Sequence, residues 1–209
     1  MADNLARAQL ARLAGSFAIR SHGHLPTLVL FTDDQRLADP LPSIRALPCG
    51  SMVVLRHGTS AKRHMLAEAI SVIARTRRLL WIVADDPYLA ADKGAHGVHL
   101  PEAKVALAAH WRAKHPRWLI TCSAHSLAAC ARASCAGAHA IFFAPVFATH
   151  SHPGRSSLGP LRMRMIARQV PVPIYALGGI DSRSAKRLAG ACVAGLAAIG
   201  ALAVEDAER

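Results

Sequence analysis

Aromatic residues are scarce in this 209-residue chain, at 5%. Few rings are available to stack on bases, so the basic and aromatic surface of a nucleic-acid binder is not in evidence. Acidic residues are scarce too: 13 Asp and Glu stand against 25 Lys and Arg, a formal net charge of +12. The positive excess is scattered: Arg75, Arg77 and Arg78; Arg162 and Arg164; Arg183, Lys186 and Arg187. No stripe forms. The charge suits small phosphorylated ligands, and nucleic acid is not expected as a partner.

No apolar run approaches the length of a membrane span, so no membrane partner is expected. The opening residues Met1-Ala2-Asp3-Asn4 lead into no uninterrupted apolar core, which argues against a secretory signal. The cysteines Cys49, Cys122, Cys130, Cys135 and Cys192 are odd in number and contain no C-x-x-C. In Ala-rich apolar segments they read as reduced, packed thiols of a cytoplasmic protein. Among 12 histidines, the close pairs are His22-Gly23-His24 and His150-Ser151-His152. Neither has a carboxylate or Cys at ligand spacing, so a structural metal site is not expected. No G-x-G-x-x-G follows the first strand-like run, and no G-x-S-x-G occurs anywhere. Dinucleotide binding and serine hydrolysis lose their motifs.

What remains is a 52% apolar, 18% charged chain with enough length for one full core. Residues 4–16 read as an amphipathic helix with Leu5, Leu10, Leu13 and Phe17 on one stripe. Residues 1–23 are therefore expected as an N-terminal helix and linker, and 24–209 as one domain. Short apolar runs follow at 27–32, 51–56, 79–84, 96–100, 118–122, 139–144, 172–177 and 196–199. Apolar on both faces, they read as buried parallel strands. Helical segments lie between them at 61–76, 103–114, 126–136 and 182–189, the last capped by Ser182. Units of roughly two dozen residues predict an α/β fold, a (β/α)8 TIM barrel with an extra N-terminal helix. A doubly wound open sheet is the competitor.

Barrel chemistry gathers at the C-terminal ends of the strands. Those ends carry Asp33, Arg56, Asp85, Asp86, His99, Ser123, Thr149, Gly178-Gly179 and Gly200. Gly178 and Gly179 let backbone N–H groups approach a phosphate, the next helix adds its dipole, and Gly200 completes the cup. The plain alternative is a tight turn. Thr149, Ser151, His152 and Arg155 belong to a hydroxyl-rich basic loop suited to a second anion. Arg56 is expected to be buried and to need an anion. Asp85 and Asp86 suit either Mg2+ or a helix cap.

Several segments together are similar to the thiamine phosphate synthase and TenI family. They are Leu30-Phe31-Thr32-Asp33, Val53-Val54-Leu55-Arg56 and Gly94-Ala95-His96-Gly97-Val98-His99-Leu100. Ser123-Ala124-His125-Ser126-Leu127, Ala144-Pro145-Val146-Phe147-Ala148-Thr149 and Val172-Pro173-Ile174-Tyr175-Ala176-Leu177-Gly178-Gly179-Ile180 complete the set. The resemblance runs from residue 28 to 202 and implies the same barrel. It implies a transferase of thiamine biosynthesis that joins hydroxymethylpyrimidine diphosphate to thiazole phosphate and releases pyrophosphate. The small phosphorylated pyrimidine and thiazole are then the substrates, and a homodimer is compatible with the resemblance.

Carried over residue by residue, the resemblance implies catalytic roles for Arg56, Asp85 and Ser123. It implies diphosphate contacts from Thr149 and Ser151, with His152 where lysine is usual, and thiazole-phosphate contact at Gly179. The chain departs from the pattern at Val54, Gly58, Ala84 and Gly200. The resemblance also implies Mg2+, with Asp85 as a ligand, but Lys104 stands where the second metal aspartate would be. That lysine either supplies part of the metal's charge or marks a lost metal site. Two alternatives follow: a non-catalytic or regulatory barrel binding thiazole phosphate or thiamine phosphate, and a tautomerase using His125 or His150. Ala144-Pro145 takes the place of the tautomerase histidine pattern, which ranks that reading last.

Overall fold

Eight parallel strands close on themselves in chain order. They are β1 (Leu28–Phe31), β2 (Met52–Leu55), β3 (Leu80–Ala84), β4 (Gly97–Leu100), β5 (Leu119–Ala124), β6 (Ala140–Phe143), β7 (Ile174–Leu177) and β8 (Gly195–Ala198). Each pairs with its chain neighbour, and β8 returns to β1 with Leu28 opposite Leu196 and Val29 opposite Ala197. The computed structural model describes residues 2–17, 25–58, 60–149 and 157–204. The expected (β/α)8 barrel is the observed fold, and each strand lies within two residues of its apolar run.

Alternation along each strand splits the core in two. Val29, Phe31, Val54, Ile82, Phe142 and Tyr175 fill the barrel interior. Leu30, Val53, Leu55, Val83 and Ile141 face outward into the layer beneath the helices. Inside, the Phe31 and Phe142 rings meet edge to face at 4.9 Å, and His99 packs edge-on against both at 5.3 Å. The buried Tyr175 hydroxyl donates to the Pro26 carbonyl at 2.6 Å, tying the barrel to the chain just before β1.

The outer ring consists of α2 (Leu41–Arg45), α3 (Ser60–Arg77), α4 (Pro87–Asp92), α5 (Ala108–Lys114), α6 (Leu127–Cys135) and α7 (Pro160–Gln169). The short helices α2 and α4, and α7, were not among the segments expected from sequence. Single 3-10 segments, Ser184–Leu188 and Gly200–Leu202, follow β7 and β8 where full helices belong. The N-terminal helix α1 (Ala2–Gly15) covers this thin side, packing on β1, β8 and both 3-10 segments. Its buried stripe is Leu10, Ala14 and Phe17, while Leu5 is 62% exposed. Of the expected stripe, Leu10 and Phe17 are buried and Leu13 packs partly buried against the core; only Leu5 lies off the face. The expected helix over 103–114 is a 3-10 turn, Glu102–Leu107, running into α5.

Ser182 is not the cap expected after β7. Asp181 fills that role, its carboxylate accepting from the backbone N–H groups of Arg183 at 2.8 Å and Ser184 at 2.7 Å. Asp86 caps α4 through the Leu89 N–H at 2.9 Å, and Ser126 caps α6 through the Ala129 N–H at 3.1 Å. All five cysteines are free, but only Cys122 and Cys130 are buried, so packing does not explain Cys49 and Cys135. Burial pushes the Cys122 thiol up to about 12. No helix among the described residues is long and apolar enough to cross a membrane.

Candidate active site

The C-terminal mouth of the barrel holds hydrogen-bonded and ionic networks at the ends of β1 to β5. At the ends of β1 and β2, the buried Thr32 hydroxyl accepts the Arg56 backbone N–H at 2.8 Å and meets His57 Nδ1 at 2.9 Å. Asp33 takes the Arg56 guanidinium at 2.6 Å and that of Arg36 at 3.0 Å. Burial pushes the Asp33 carboxyl up, but the Arg36 hydrogen bonds and the charges of Arg36 and Arg56 outweigh it and hold it at about 2. Arg56 is therefore not the buried cation expected: its side chain is 46% exposed, anchored at the rim by Asp33. Asp34 accepts the Gly58 N–H at 2.6 Å.

Between β3 and β4 the backbone is unusual. Asp85 has a left-handed φ of 57°, rare for a residue with a Cβ and a mark of functional turns. Its carboxylate receives the Lys104 ammonium on both oxygens, at 2.8 and 2.9 Å. Arg63, one turn into α3, donates to the Ala84 carbonyl immediately before it. The buried Nε of Arg63 has no partner among the described residues. Sequence reading missed Arg63, because nothing in a helical arginine announces which strand end it reaches.

The sequence offers His99 as a strand-end group, and the structure sets it inside the site. Side chains two apart in a strand share a face, and this rule puts His99, Thr121 and Ser123 together inside the barrel. His99 Nδ1 meets Thr121 Oγ1 at 2.9 Å and Nε2 meets Ser123 Oγ at 2.8 Å. Burial, with a smaller contribution from the Arg56 charge, lowers His99 to about 3. It is a neutral imidazole that fixes the Ser123 hydroxyl by hydrogen bonding. Beside it, Val54 and Ala84 give the floor of the mouth an apolar lining.

The β6 and β7 ends are folded onto each other. Phe147 N–H donates to the Gly178 carbonyl at 3.0 Å, and Val146 N–H to Leu177 at 3.0 Å. Gly178 and Gly179 have φ of 91° and 65°. A Cβ on Gly178 would lie 2.9 Å from Pro145 Cα, and one on Gly179 2.4 Å from the Ala148 carbonyl oxygen. Close packing thus requires both glycines, independently of any ligand. The helix expected to lend its dipole here is the five-residue 3-10 segment Ser184–Leu188, and Asp181 already takes its leading N–H groups. The segment therefore lends no helix dipole to a phosphate at this turn. Gly200 opens the turn after β8, where a Cβ would meet nothing within 4 Å. Thr149 closes the described stretch after β6; Ser151, His152 and Arg155 lie outside the described residues, as does His150. The His125 imidazole is engaged with the Ala144 carbonyl at 2.6 Å.

The donor set does not suit a divalent cation. Among the described residues no three His, Cys, Asp or Glu side chains converge as metal ligands. Mg2+ can manage with one or two carboxylates plus substrate phosphates. Here Asp85 already has both oxygens on an ammonium, Asp86 caps α4, and Glu102 accepts from Arg132 at 2.9 Å and from His125 N–H at 3.0 Å. Three cations on this side of the mouth, Arg56, Arg63 and Lys104, over an apolar floor suit a flat ring carrying an anionic tail.

The family model described as "Thiamine monophosphate synthase" matches residues 28–202. A thiamine-phosphate synthase of Chlorobium luteolum is 33% identical over 184 residues, covering 86% of each chain. One from Alcanivorax borkumensis is 29% identical over 198 residues, covering 92% of this chain and 87% of its own. The solved thiamine phosphate pyrophosphorylase of Pyrococcus furiosus superimposes with a TM-score of 0.73 at 23% identity, over 90% of this chain and 91% of its own. At that identity the superposition speaks for the fold. With a closed eight-stranded barrel and a match spanning nearly all of it, the chain belongs to the thiamine monophosphate synthase family.

Proposed function

We propose that this protein is a transferase of thiamine biosynthesis that joins hydroxymethylpyrimidine diphosphate to thiazole phosphate. The C–O bond between the pyrimidine methylene and the diphosphate breaks, and its electron pair leaves with pyrophosphate. The thiazole nitrogen lone pair forms the new C–N bond. The observation that carries this reading is the convergence of Arg56, Asp85 and Ser123 on one mouth, each held by a partner: Asp33, Lys104 and His99.

The leaving diphosphate needs charge stabilisation more than proton transfer, and fixed cations at a low-dielectric mouth supply it. Arg56, held by Asp33, presents one such cation. Ser123, oriented by His99, offers a hydroxyl to a ring polar atom, and Phe31 and Phe142 close the floor beneath. Gly178, Gly179 and Gly200 form the cup for the thiazole phosphate. Thr149, with Ser151 and His152, belongs to the loop over the diphosphate. Asp85 positions Lys104. Free thiols throughout accord with a reducing cytoplasm as the setting.

The test is an assay for thiamine phosphate with both substrates present, with and without Mg2+. Product formation in either condition supports the transferase. Absence of product, with thiazole phosphate still bound in a parallel titration, selects the second reading, a barrel that binds the phosphorylated ligand without turnover. That second reading draws on the apolar Val54 and Ala84, which leave a pyrimidine ring without polar partners at the ends of β2 and β3.

A further inference from the structure

We propose that Lys104, with Arg63, receives the substrate diphosphate directly, so that this enzyme binds diphosphate without a divalent cation. The proposal rests on the transferase reading above. A lysine where the metal-binding aspartate would stand changes the local charge by two positive units, which is the charge of the ion it displaces. The ammonium bonds both oxygens of Asp85, at 2.8 and 2.9 Å. It has three N–H donors, so one remains for a ligand. Any cation approaching the same carboxylate would meet those donors at contact distance and be repelled.

Arg63 reinforces the site from the other side. It is fixed to the carbonyl of Ala84, the residue before Asp85, and its buried Nε is unpartnered among the described residues. A guanidinium carries five N–H donors, so with one arm on the Ala84 carbonyl its outer arm remains for a phosphate oxygen. Lys104 and Arg63 thus flank one strand end, one bonded to the side chain of Asp85 and the other to the peptide preceding it. Gly58 offers no side chain at the end of β2. Arg63, five residues later, brings a guanidinium to the neighbouring strand end.

The experiment is calorimetric titration of the full chain with inorganic pyrophosphate, in EDTA and again in excess Mg2+. Binding is expected in EDTA, and excess Mg2+, which complexes free pyrophosphate, is expected to weaken the apparent affinity and not to strengthen it. Lys104→Met and Arg63→Met are each expected to weaken it by about tenfold or more, the loss of one charge-assisted contact. Lys114→Met, at the end of α5 beside the start of β5 and so at the opposite end of the barrel, is expected to leave it unchanged. Lys104→Asp is expected to bind pyrophosphate only when Mg2+ is added. Wild-type binding that requires Mg2+ would overturn this proposal and leave the transferase reading standing. Equal affinities for Lys104→Met and Lys114→Met would overturn it as well. No binding in either condition would overturn both readings.

Discussion

Replacing His99 with glutamine should flatten the acid sensitivity of folding. In the native barrel the imidazole is 4% exposed, touches Phe31 and Phe142, and is held neutral with its pKa lowered from 6.5 to about 3. The unfolded chain protonates this histidine as pH falls through about 6.5, whereas the native chain does not until about 3. Between those values the unfolded state binds more protons, so stability falls as pH falls. The contribution is complete above 6.5 and is lost progressively toward about 3. Integrated from pH 7 to pH 5, this one group costs about 2 kcal/mol. Glutamine keeps a polar group for Thr121 and Ser123 but has no titration. Urea unfolding at pH 7 and pH 5 on both proteins gives the comparison. Burial also lowers the pKa values of His57 and His139, but both proteins retain them, so their contribution cancels in the difference. Wild type is expected to lose about 2 kcal/mol more than His99→Gln over this interval. Parallel losses in the two proteins would refute a neutral, buried His99.

Tyr175→Phe removes the buried donor to the Pro26 carbonyl and should lower stability by about 1–3 kcal/mol in denaturant unfolding; no loss would mean that water replaces the hydroxyl. Gly179→Ala should cost more than about 2 kcal/mol, since its Cβ would lie 2.4 Å from the Ala148 oxygen at a φ of 65°. Gly50→Ala, at a φ of 78° with nothing within 4 Å of its Cβ, should cost only about 1 kcal/mol; equal thermal shifts would show that the packing against Ala148 is not what demands the glycine. Arg56→Ala should weaken pyrophosphate binding by about tenfold, and an unchanged affinity would remove Arg56 from the site.

Strand positions were legible because parallel strands are buried on both faces, so each shows as an uninterrupted apolar run whatever its neighbours. The strand-end residues came with them: Arg56 follows β2, Asp85 follows β3, and Gly178 follows β7. Weak helices were less visible. Leu41–Arg45 and Pro87–Asp92 are too short to establish a 3.6-residue period, and the segments after β7 and β8 never become α-helix. Leu5 of α1 is exposed while Leu10 is buried, because helical spacing names a face but not where the face meets the core.

Sequence alone determined the barrel and the mouth at which chemistry gathers, since both follow from residue order and local pattern; that Lys104 stands where an aspartate would be is what the family resemblance implies. Tertiary structure decided which charges neutralise which. Arg56 on Asp33, Lys104 on Asp85 and Arg63 on the Ala84 carbonyl join residues 19 to 23 positions apart. It also decided that α1 closes the thin side of the ring and that His99 is neutral. The physical reason is that burial and Coulomb interactions depend on distance in space, which chain order constrains only within a strand or a turn of helix.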